Sequence, residues 1–162
     1  TLDQTVFNSS EKDYFKRVAL INNIKEKKKT GEMLSGTVIS IWFNNSRPGE
    51  LGYEKGKQIA ESEINRLHAL VSEGELSAWG AAEEIRNNPE LSKIDPSYKT
   101  NAEFNFRVRR GEAITLDPDF DNMLWSLNEG QVSDVVLIKD STSSDAKMID
   151  SVFMFAKIDT KG

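Results

Sequence analysis

The chain has 162 residues, and its 38% hydrophobic share is high enough to bury one core without metal or disulfide support and too high for a disordered chain. Its net charge of -5 opposes the phosphate-neutralising surface that nucleic-acid binding requires. The absence of cysteine excludes disulfide frameworks, thiolate zinc sites and cysteine nucleophiles, and no apolar run approaches the roughly 20 residues needed to span a bilayer.

Taken in chain order, residues 10–29 read as a helix, with Ser10 and Asp13 spaced as a capping box and Tyr14, Val18 and Ile21 on one stripe. Lys25, Lys27, Lys28 and Lys29 crowd its last turn, where cations complement the helix dipole, and Gly31 stops it. Val38 to Phe43 (VISIWF) is a continuous apolar, β-branched and aromatic run, the pattern of a central strand covered on both faces. A loop with Pro48 and two glycines follows.

From Tyr53 the apolar positions Ala60, Ile64, Leu67 and Val71 recur at helical spacing until Gly74, which suits a left-handed C-cap. A shorter helix starts at Ser77 as N-cap and ends at Asn88-Pro89. Residues Glu103 to Arg109 alternate Phe104, Phe106 and Val108 with Asn105, Arg107 and Arg109, the period of a half-buried strand. Asp117-Pro118 is an N-cap and N1 pair opening a helix with Phe120, Leu124 and Leu127 as its buried stripe, closed by Gly130. Two further strands, Val135 to Ile138 and Val152 to Ile158, flank a loop rich in Asp, Ser and Thr. The order α, β, α, α, β, α, β, β has too few crossovers for a doubly wound sheet and predicts an α+β fold with about four strands.

The stretch FDNMLWSLNEGQVSDVV, Phe120 to Val136, resembles the signature of the parvulin-type (rotamase) peptidyl-prolyl cis-trans isomerases, in which a phenylalanine-led helix runs into a Gly-x-Val-Ser turn and a strand. Element order over residues 36–160 agrees with it. The resemblance implies a parvulin-like domain over residues 36–162, with a small mixed or antiparallel four-stranded sheet flanked by helices, preceded by an N-terminal helical extension over residues 1–35. In this turn Ser133 is placed to bond the local backbone.

Carried over residue by residue, the resemblance puts the family's two histidine positions at Ser40 and Met154, so both histidines are missing. The one histidine, His68, flanks the Ile64 and Val71 stripe of the long helix and reads as a packing residue. Asp95 matches the family's acidic or thiol position, and with Pro96 after it the same residue also reads as a turn or N-cap aspartate. Positions matching the proline pocket are Phe104, Ala113 and Phe120, the two phenylalanines also being readable as core aromatics, the more frequent fate of that residue. Turning an X-Pro bond needs no nucleophile, cofactor or metal, only a dry grip on the ring and a polar group that favours the twisted state.

The expected partners are therefore unfolded or proline-containing polypeptide clients, bound by a foldase or chaperone domain with isomerase activity weak or absent. The competing expectation is a non-catalytic structural or docking subunit of a larger extracytoplasmic assembly. The resemblance implies a periplasmic or cell-envelope setting, with any signal or anchor lying outside this chain. A hydrolase is disfavoured, because the sequence holds no Gly-x-Ser-x-Gly elbow.

Overall fold

A computed structural model describes residues 32–46, 48–50, 52–94, 99, 101–141 and 148–162. Four strands form one antiparallel sheet: β1 (Met33–Trp42), β2 (Glu103–Arg109), β3 (Val136–Ser141) and β4 (Met148–Lys161), in the order β2-β1-β4-β3. The three α-helices among the described residues are α1 (Tyr53–Ser72), α2 (Ala78–Arg86) and α3 (Pro118–Trp125). The α+β expectation holds, and the sheet is antiparallel throughout, with β1 and β4 in the centre. The helix read over residues 10–29 lies outside the described residues.

Local chemistry explains the boundaries. Ser77 accepts from the Gly80 amide at the start of α2, and Asp117 accepts from the amides of Asp119 and Phe120 at the start of α3, each satisfying donors that the first helical turn leaves open. Gly130 has φ 82, a conformation that lets the chain leave α3 and turn back onto β4. There Ser133 does more than cap its own turn: its amide donates to the Ala156 carbonyl at 2.8 Å, and its hydroxyl accepts from the Ala156 amide at 2.9 Å.

Alternation along the strands produces two apolar clusters, one on each face of the sheet. On the first face Ile39, Ile41 and Phe43 of β1 and Phe153 and Phe155 of β4 pack against α1, through Ile64, Leu67 and Val71, and against α2, through Ala82 and Ile85. On the second, Leu34 and Val38 of β1 and Met154, Ala156 and Ile158 of β4 pack against Phe120, Leu124 and Trp125 of α3. The strands outrun their apolar runs: β1 begins at Met33 and β4 extends from Met148 to Lys161. Gly36 sits at the register shift between β1 and β4, where a side chain would collide with the Lys157 carbonyl.

Candidate functional site

The second face of the sheet is incompletely roofed. An eight-residue helix is about 12 Å long, whereas a fourteen-residue strand runs roughly 45 Å, so α3 cannot cover β4 from end to end. Where the roof stops, a groove of about 470 Å³ opens over the ends of β1 and β2. Val38, Ser40 and Trp42 of β1 and Met154 of β4 form its floor, Phe104 of β2 one wall, and Ile114 to Leu116 the opposite lip.

Three of the positions singled out in the sequence meet here. Ser40 and Met154 are directly paired across β1 and β4, and Phe104, 47% exposed, stands beside them. Phe120 does not face the groove: at 2% exposure it lies in the buried cluster that also holds Val38, Ile114 and Met154, as part of the core beside the groove. Ala113 is exposed and outside the lining, and its neighbour Ile114 supplies the apolar contact instead. Asp95 lies outside the described residues.

The polar groups of the lining are already engaged. Ser40 donates its hydroxyl to the Asn101 carbonyl at 2.5 Å and its amide to the Ala102 carbonyl at 3.1 Å, tying the approach to β2 onto the floor. Thr115 donates its hydroxyl to the Asp121 carboxylate at 2.7 Å. Glu103 forms an ion pair with Arg86 of α2, and that bond holds the Arg86 guanidinium above its ordinary value. The groove thus offers an apolar, ring-sized surface, and its described lining presents no uncommitted acid or base for proton transfer.

Sequence reasoning missed the lip and the residue that holds it. Asp121, on the first turns of α3, accepts from the amides of Ile114 and Thr115, both at 2.9 Å, as well as from the Thr115 hydroxyl. A signal existed. Leu116 occupies the position before the N-cap, where an apolar residue normally staples to the fourth helical residue. Here that residue is Asp121, so Leu116 has no apolar staple partner and is 59% exposed at the groove mouth.

His68 lies away from the groove. Its Nε2 is 2.7 Å from the Ser133 carbonyl, which can only accept, and its ring meets Phe155 edge-on at 5.2 Å. It fastens α1 to the segment beside β4, as a packing residue does. Among the described residues no group of three or more metal-ligating side chains converges, and no helix is long and apolar enough to cross a membrane.

Compared with known proteins, the chain matches no family model, no curated protein and no solved structure. Its geometry defines an antiparallel α+β domain with a half-roofed sheet.

Proposed function

We propose that this is a parvulin-type peptidyl-prolyl isomerase-like domain of the cell envelope that binds extended, proline-containing segments of unfolded polypeptide, with isomerisation slow or absent. One observation carries the reading: a half-exposed aromatic, Phe104, stands beside the Ser40–Met154 pair in an open apolar groove of ligand-binding size. Those two paired positions are where the sequence resemblance expects the family's histidines. Support for binding comes from the apolar floor and lip, which suit a proline ring. Support for weak catalysis comes from the chemistry of the pair. Met154 has no proton to share and Ser40 spends its hydroxyl on the Asn101 carbonyl, so neither supplies the polar push toward a twisted amide, whose uncatalysed barrier is about 18–20 kcal/mol.

The test is a titration of the isotope-labelled chain with a proline-containing peptide, followed by amide chemical shifts. Shifts at Ser40, Trp42, Phe104 and Leu116 are expected. Phe104→Ala should weaken binding roughly tenfold, about 1.4 kcal/mol, with little change in stability because the ring is already half in water. Silence at these four positions defeats the reading and favours a structural subunit of an assembly. Turnover at the rate of an efficient isomerase, in a standard proline-peptide assay, defeats the weak-catalysis part alone.

A further inference from the structure

Strand β2 is an edge of the sheet. The Arg110 amide donates to the Glu32 carbonyl and the Ser40 amide to the Ala102 carbonyl, both at 3.1 Å, so the even-numbered residues of β2 bond to β1. The odd-numbered residues then turn their N–H and C=O groups outward, away from the sheet. Arg109 has its outward amide capped by the Glu112 carboxylate at 2.6 Å, which terminates the edge. Among the described residues, no hydrogen bond occupies the amides of Asn105 and Arg107.

Chemistry differs on the two sides of that edge. Phe104 and Val108 lie on the groove side, with Phe104 half exposed. Asn105, Arg107 and Arg109 lie on the opposite side, all exposed. In the rows that cross the sheet there, Arg107 is followed by Ser35 and Thr160, and Asn105 by Thr37 and Lys157, so no carboxylate neutralises the cations within either row. In a chain of net charge -5, a cationic stripe beside open backbone donors is complementary to a ligand that is itself acidic and extended.

We propose that β2 is a strand-addition site for an extended polypeptide segment in which acidic and apolar residues alternate. Docked antiparallel, such a segment pairs its backbone with Asn105 and Arg107, directs its carboxylates toward Arg107 and Arg109, and lays its apolar side chains on the side of Phe104 and Val108. The inference goes beyond the proline-binding reading: it needs the edge and its two faces, and shares only Phe104 with the groove. Charged side chains also protect edges from aggregation, and a purely protective role predicts no binding of this peptide.

The test uses the isotope-labelled chain and an eight-residue peptide alternating glutamate with valine. Expected are amide shifts and slowed hydrogen exchange at Asn105 and Arg107, weakening with added salt. The double variant Arg107→Glu/Arg109→Glu should bind roughly tenfold or more weakly. Lysine in place of glutamate in the peptide should abolish binding. Methylating the peptide's glutamate amides should do the same without altering the protein, so the test survives a variant that folds poorly. Equal affinity for the charge-reversed chain, indifference to N-methylation, or shifts confined to Ser40, Trp42 and Leu116 would each overturn the inference. A parallel titration with a neutral proline peptide reads the groove separately.

Discussion

Phe104 and Phe120 are chemically identical, yet one faces water in a groove and the other is 2% exposed in the core. The difference comes from position rather than pattern: Phe120 sits on the inner stripe of a helix, while Phe104 sits on an edge strand beyond the reach of the helical roof. Ala113 and Ile114 show the same limit at a spacing of one residue, because a loop has no periodicity from which the inward side chain can be read. Asp121 illustrates how a short-range bond network shapes a site. It receives three hydrogen bonds from Ile114 and Thr115 and so holds the lip over the groove. Asp121→Ala should cost about 2–3 kcal/mol, since buried backbone donors lose a charged acceptor, and it should weaken peptide binding by loosening the lip. Urea unfolding checks the first effect and the peptide titration the second.

At the scale of elements, α1, β3 and β4 meet at Asp150. Its carboxylate accepts from Lys57 of α1 and Lys139 of β3, each at 2.9 Å, while its carbonyl accepts from the Tyr53 hydroxyl at 2.6 Å. The hydrogen bond from Lys57 first, and that from Lys139 second, holds the Asp150 carboxyl below its ordinary value. A carboxyl lowered on folding stabilises the native state above its unfolded value, about 3.9, and that contribution fades as pH falls through the folded value. Asp150→Asn should therefore cost on the order of 1 kcal/mol near pH 7, and the gap between variant and wild type should narrow as pH falls below the unfolded value of about 3.9. Urea midpoints measured across that range check it. Element identity was well marked in the sequence, through Ser77, the Asp117-Pro118 pair and the alternation of residues 103–109. Strand length was not: β1 and β4 run into polar stretches, held there by their neighbours' hydrogen bonds rather than by their own apolar content.

For the molecule as a whole, the central sheet is the common support of both apolar clusters. Phe155 lies in it fully buried, against α1 and the edge of the His68 ring. Phe155→Ala should destabilise by about 3–5 kcal/mol, a large share of the 5–15 kcal/mol typical of a whole domain, and thermal unfolding would register the loss. By itself, the sequence determined which of the described segments are helices and which are strands, and that they assemble as α+β, because caps, breakers and periodicity act over a few residues. Only the tertiary structure decided the strand order, the pairing of Ser40 with Met154, and the shortfall of α3 that leaves the groove open. Each of these depends on contacts between segments tens of residues apart, where a periodic pattern marks which face is apolar but not how far its partner extends across it.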